Sequence, residues 1–167
     1  MRTQTRHWFI AACIMLACII LGVVVVGDTE ASPYPALTQP AFAPSNLVRA
    51  IVAALYYAMI AVVLARALYR RHREDAWMLI AGVVAIMLVN EVLNVFLFRM
   101  GDAGLSFWAR AGFAVILIST AWAAIRVDLV ACVLLGIYLL WVGFDLIWAF
   151  DLMRLNPSPV TEAISLP

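Results

Sequence analysis

Lysine is absent from this 167-residue chain, histidine occurs twice, cysteine three times, and only 13% of the residues are charged. Each shortage removes a class of protein. The formal net charge is +1, with 11 cationic side chains, all arginine, against 10 acidic ones, so no basic face is available for nucleic acid. His7 and His72 lie far apart, and no HExxH, GxSxG or glycine-rich phosphate loop occurs. Neither catalytic residues nor metal ligands are expected, and the chain does not read as an enzyme. Cys13, Cys18 and Cys132 sit in apolar runs without CxxC spacing, which excludes a disulfide framework or zinc site; they read as small buried hydrophobes. The apolar run continues past Cys18 to Val26, which excludes a lipoprotein cleavage box.

What is abundant is apolar surface: 66% of residues are hydrophobic and the mean hydropathy is +1.02. A soluble domain of this size could not hide so much from water. About 20 apolar residues let a helix cross a bilayer. Five stretches qualify: Trp8 to Gly27, Leu47 to Tyr69, Trp77 to Phe98, Leu105 to Ile125 and Leu129 to Phe150. Their Ala, Leu, Ile and Val runs show no period-2 alternation, so they predict helices rather than barrel strands. The fold class is an all-α bundle of five transmembrane helices, one membrane domain over residues 1–167 with a short tail from 151 to 167. Arg2 and Arg6 before the first span, and "DTEAS" after it, resemble a signal peptide, but the apolar run is too long for one, so retention as a helix is expected.

Three connections are short, "RRHRED", "RMGDAG" and "RVD", and make neighbouring helices antiparallel. The other, Asp28 to Asn46, holds four prolines yet keeps Tyr34, Leu37 and Phe42, which a plain solvated linker does not need. It reads as a lid. Arg2, Arg6, Arg66, Arg70, Arg71, Arg73 and Arg126 fall on one side, and Arg49, Arg99, Arg110 and Arg154 on the other. That bias predicts a cytoplasmic N-terminus, with the C-terminus and the lid loop outside.

Polar groups inside spans are costly and face protein or a wet cavity. Asn90, Glu91 and Asn94 on the third span, Asp145 on the fifth, and Arg110, Tyr56 and Tyr57 all fall in the outer half by this topology. Trp141, Asp145 and Trp148 share one helix face, extended by Tyr138. The gathering suggests a cavity opening outward beneath the lid. Each residue also has a plainer reading. Asn and Glu can glue helices by hydrogen bonds. Asp145 can pair with Arg110 or snorkel, and the tryptophans can be packing or, for Trp8, Trp77 and Trp108, interfacial anchors.

The segment "YLLWVGFDLIWAFDLMRLNP" is similar to the fifth helix and tail of the TspO/MBR family, tryptophan-rich sensory proteins and translocator proteins, through Tyr138, Leu139, Trp141, Phe150, Leu155 and Asn156. "ALYYAM" resembles its second-helix motif through Leu55, Tyr56 and Met59. "YPALTQPAFAPS" resembles its first loop through Tyr34, Leu37, Pro40 and Pro44, and "VNEVLNVFLF" resembles its third helix through Asn90, Phe96 and Phe98. Trp122 and Asp128 in "AWAAIRVD" stand where the family often has a tryptophan and a turn aspartate.

The resemblance covers about residues 30 to 157. It implies a homodimer in a bacterial membrane that binds a hydrophobic small molecule between its helices, in contact with membrane lipid. A porphyrin or other tetrapyrrole is the first expectation and a sterol or isoprenoid lipid the second, for sensing, sequestration or transport, with no required cofactor. Tyr34 and Phe42 would close the lid. Tyr56, Asn90, Asn94, Trp122, Tyr138, Trp141 and Phe150 would line the cavity, while Asp145 and Glu91 would meet a polar or cationic part of the ligand or pass a proton. The family's loop tryptophan is Phe42 here, its third-helix tryptophan is Leu93, and Phe150 replaces a tryptophan of some relatives. Tryptophan-dependent breakdown of porphyrin is therefore not expected. Two rival readings fit the carboxylates: an assembly subunit, and a proton-coupled transporter using Glu91 and Asp145.

Overall fold

The structure, a computed structural model, describes residues 2–26 and 32–157. The expected first-span end at Gly27, the loop residues Asp28 to Ala31 and the tail from Ser158 lie outside the described residues. Five helices follow one another: α1 (Arg2–Val26), α2 (Asn46–Tyr69), α3 (Ala76–Asn94), α4 (Ala103–Val127) and α5 (Leu129–Leu155). All five are long and apolar enough to cross a membrane. Among the described residues there is no strand.

The helices outrun the apolar stretches that predict them, because polar end residues still satisfy helical backbone bonds and add caps. Ser45 accepts from the Val48 amide at the start of α2, and Asp102 from Leu105 at the start of α4. Arg66, Arg126 and Arg154 occupy the last turns of α2, α4 and α5, where a cation complements the carbonyl-rich end. Asp128 alone joins α4 to α5. Its amide closes α4 on Ala124 at 2.8 Å, and its carboxylate caps α5 on the Ala131 amide at 3.0 Å. α3 does not stop at Asn94 but widens into a π-helical turn, Val95–Arg99. The chain then reverses through Gly101, whose φ of 63° and proximity to Pro33 both exclude a side chain.

Neighbouring helices form a ring in the order α1, α2, α5, α4, α3, with α2 also touching α3 across the middle. Ile60, Val63, Leu79, Val83, Ile86, Leu117 and Leu135 are fully buried there. Small residues let the helices approach. Gly82 sits against Thr120 of α4, and Gly22 of α1 against the carboxylate of Glu91, each with no room for a Cβ. The outside is as apolar as the inside: Phe9, Leu47, Leu129 and Leu140 are each about 70% exposed or more. Such a surface is stable only in lipid; the chain is an integral, multi-pass membrane protein. Cys13, expected to be buried, is exposed on that surface, while Cys18 and Cys132 are half-buried and all three are free thiols. In lipid an apolar thiol has no need of burial.

The proline-rich loop packs over the ends of α3 and α5. Pro33 starts a single 3-10 turn, Tyr34–Ala36. Ser32 Oγ donates to the Phe98 carbonyl at 2.7 Å, a group that the π turn carries. Asn156, just past α5, clasps the loop at both backbone groups of Thr38: its Oδ1 accepts from the Thr38 amide at 2.8 Å and its Nδ2 donates to the Thr38 carbonyl at 2.9 Å.

Candidate functional site

Beneath the loop lies a cavity of about 240 Å³. Its walls are helix faces, each readable as a spacing of three and four. α2 supplies Arg49, Val52, Ala53, Tyr56 and Tyr57; α3 and its π turn supply Asn90, Leu93, Asn94, Leu97 and Phe98; α5 supplies Tyr138, Trp141, Val142, Asp145 and Trp148. Arg110 and Phe113 of α4 and Pro44 of the loop complete it. The aromatic rings interlock. Tyr56 lies 5.1 Å from Tyr57 and 5.2 Å from Tyr138, and Phe113 meets Tyr138 edge-on at 6.2 Å.

Two guanidiniums enter this wall, and they differ. Arg110 is committed: its Nε donates to Asp145 Oδ2 at 2.8 Å, and its Nη1 donates to the Ser106 carbonyl at 3.3 Å and to the Ser106 hydroxyl. The Arg110 side chain is 8% exposed, which demands such a partner. Arg49 has no carboxylate partner among the described residues. Its Nε donates to the Pro44 carbonyl at 3.0 Å, and its Nη1 donates to the Tyr34 hydroxyl. Both guanidiniums lie over the Trp148 ring, Arg49 at 5.3 Å and Arg110 at 5.5 Å. The wall therefore carries one net positive charge. The buried Tyr56 hydroxyl and Trp148 Nε1 have no hydrogen-bond partner among the described residues, and both residues line the cavity.

Of the residues singled out from the sequence, Tyr56, Asn90, Asn94, Tyr138, Trp141 and Asp145 line the cavity. Tyr34 stands at its roof, tilted on Phe98 at 4.9 Å and hydrogen-bonded to Gln39 at 3.2 Å. Four others lie off this wall. Trp122 is 67% exposed on the lipid face of α4. Phe150 packs on Phe107 at 5.6 Å beside Arg154, outside the cavity. Phe42 meets Phe144 edge-on at 6.2 Å and lines a separate groove with Asp151 and Arg154. Glu91 is 3% exposed and turns toward α1, because a residue one step from Asn90 is rotated by about 100° around the helix. Its Oε1 accepts from Tyr57 and from Asn90 Nδ2, both at 3.3 Å. Glu91 and Asp145 thus do not form a carboxylate pair, and Asp145 is already neutralised by Arg110.

Sequence reasoning left Arg49 and Phe113 out of the site, and placed Trp148 on the Asp145 face without naming it as a ligand contact. The signal was spacing: Arg49 lies seven residues before Tyr56, and Trp148 three after Asp145, so each shares a face with a chosen residue. Among the described residues no three His, Cys, Asp or Glu side chains gather closely enough to hold a metal ion.

Five spanning helices around a roofed aromatic cavity at one end of the bundle define a class of multi-pass membrane protein. The family model of the TspO/MBR family matches residues 9–154, and the chain belongs to that family. No curated protein matches the chain. Membership supports a sensor- or receptor-type role at a membrane.

Proposed function

We propose that this protein binds a flat, largely apolar small molecule bearing an anionic group in the roofed cavity, with a carboxylated tetrapyrrole such as a porphyrin as the leading ligand class. The observation that carries the reading is Arg49, a cation with no carboxylate partner among the described residues, at the mouth of an aromatic chamber. Rings such as Tyr56, Tyr138 and Trp141 would bury apolar area at low entropic cost, and Arg49 would hold the acid group. The committed state of Asp145 argues against a cationic ligand and against Asp145 as a free proton carrier. A drug-sized ligand needs roughly 300–1,000 Å³, so the roof would lift to admit a tetrapyrrole. With Phe at 42 and 150 and no catalytic constellation on the wall, the proposed role is reception, sequestration or transfer rather than catalysis. The arginine bias supports a roofed end outside and an N-terminus in the cytoplasm, and the family resemblance favours a homodimer.

The apolar share of the wall, Val52, Leu93, Leu97, Phe113 and Val142, favours a second ligand class, a sterol or isoprenoid lipid with a polar head at Arg49.

The test is titration of the purified protein with protoporphyrin IX, followed by tryptophan quenching corrected for inner-filter absorption. Saturable quenching is expected, with affinity weakened at least about tenfold in Arg49→Gln, the loss of one charge-assisted hydrogen bond. Linear quenching that is identical in wild type and variant would remove porphyrin and leave the lipid class to be tried in the same assay by competition.

A further inference from the structure

We propose that the opposite end of the bundle carries a second site, for a phosphate-type anion, formed by His7, Arg66 and Arg70. A separate cavity of about 160 Å³ opens there, between α1, α2 and the junction of α4 with α5. It is lined by His7, Trp8, Arg66, Tyr69, Arg70 and Asp128 together with Ala65. Arg66 lies 17 residues along α2 from Arg49, which at the helical rise of 1.5 Å per residue is about 25 Å. The two cavities therefore share no wall residue.

The charge in this cavity does not balance. The Asp128 side chain is fully buried and takes Arg66 Nε at 2.9 Å and Arg70 Nε at 2.5 Å. One carboxylate thus faces two guanidiniums. Both arginines reach Asp128 through Nε, and their terminal nitrogens have no hydrogen-bond partner among the described residues. Their side chains are about one third exposed, so these donors are accessible. Arg73 adds positive charge nearby, donating to the Arg126 and Val127 carbonyls at 3.2 and 3.1 Å.

The independent pointer is His7. It is 7% exposed, its ring stands edge-on to Tyr69 at 6.2 Å, and its Nδ1 has no hydrogen-bond partner among the described residues. A buried ring nitrogen without a partner is costly unless something in the cavity meets it. Two arginines of α2 and an imidazole of α1 line this cavity, so its polar groups come from two helices. A phosphate, with several acceptor oxygens in tetrahedral arrangement, suits such a set better than a planar carboxylate. Trp8 and Tyr69 at the rim are 45% and 58% exposed, as amphipathic rings at a membrane surface are. A phospholipid headgroup and free phosphate share the required chemistry, and the test separates them.

The full-length protein is examined in two arms. Native mass spectrometry from mixed micelles compares retention of dioleoyl phosphatidylglycerol with dioleoyl phosphatidylcholine. Thermal melting compares sodium phosphate with sodium chloride at equal ionic strength. Selective retention of phosphatidylglycerol assigns a lipid headgroup; stabilisation by phosphate assigns the free anion; either supports the site. The variant Arg70→Gln should weaken that binding at least about tenfold and His7→Phe about fivefold. The phenyl ring keeps the packing on Tyr69, so His7→Phe decides the matter where Arg70→Gln fails to fold. Quenching by protoporphyrin IX should be unchanged in His7→Phe. No lipid preference together with no response to phosphate, or selective binding that His7→Phe leaves intact, would overturn the proposal.

Discussion

Arg110 sits in the first third of the fourth membrane-spanning helix with its side chain 8% exposed, and Asp145 is its counter-charge. Removing one member of such a pair strands the other. Asp145→Asn should therefore destabilise the protein by about 3 kcal/mol, whereas Arg110→Met combined with Asp145→Leu should fall much closer to wild type. Thermal melting in one detergent checks both, and equal losses in the single and double variants would show that the pair is not the cause. Asp128 gives a pH-dependent case. Burial pushes its pKa up, but the hydrogen bond from Arg66, the Ala131 amide and the charges of Arg66 and Arg70 outweigh it, so the net shift is downward. A lowered carboxylate pKa contributes stability that is present above the unfolded value of about 3.9 and lost as pH falls through the folded value. Melting temperature should thus drop below about pH 4, and less steeply in Asp128→Asn, which keeps the helix cap and discards the charge. A wild-type and variant difference that does not change with pH would count against the ion pairs.

At the scale of elements, the Asn156 clasp on Thr38 joins the roof loop to the end of α5. Asn156→Ala removes both hydrogen bonds to Thr38 and a third, from Nδ2 to the Leu152 carbonyl at 2.8 Å, at a cost to global stability of about 1 kcal/mol. Its effect on ligand exchange should be larger: both association and dissociation of protoporphyrin IX should quicken in stopped-flow, with affinity little changed. Rates equal to wild type would mean that the loop is not the gate. The helices themselves were legible in the sequence, since each is a run too apolar and too long for water. Which face points inward was not. In lipid the outer face of a helix is apolar too, so Trp122 on the outside and Trp141 in the cavity have similar neighbours along the chain. Polar residues were better guides, but only at the resolution of one helical step. Asn90 and Asn94 face the cavity, while Glu91 between them faces Gly22 of α1. The π turn left no sequence signal, because it depends on where α3 must hand over to the Gly101 turn and the loop above it.

Taken whole, the molecule is polar at its two ends and apolar around its girth. The roofed end holds Arg49, Arg110 and Asp145, and the other holds Arg66, Arg70, Asp128 and His7. Each cavity is lined by two arginines and one carboxylate, so each lining carries one unbalanced positive charge. The fourth and fifth helices contribute to both ends, which makes their junction at Asp128 a structural reference for the whole bundle. One feature of this layout bears on how the protein is made. Arg110 belongs to α4, but its counter-ion and the roof's fastening, Asp145 and Asn156, both come from the last helix and the residue after it. A nascent chain with four helices inserted has an unmatched charge in the bilayer and an open chamber. The fifth helix supplies the missing carboxylate and then the latch, in the order in which they leave the ribosome, so the chamber closes only after α5 has been made.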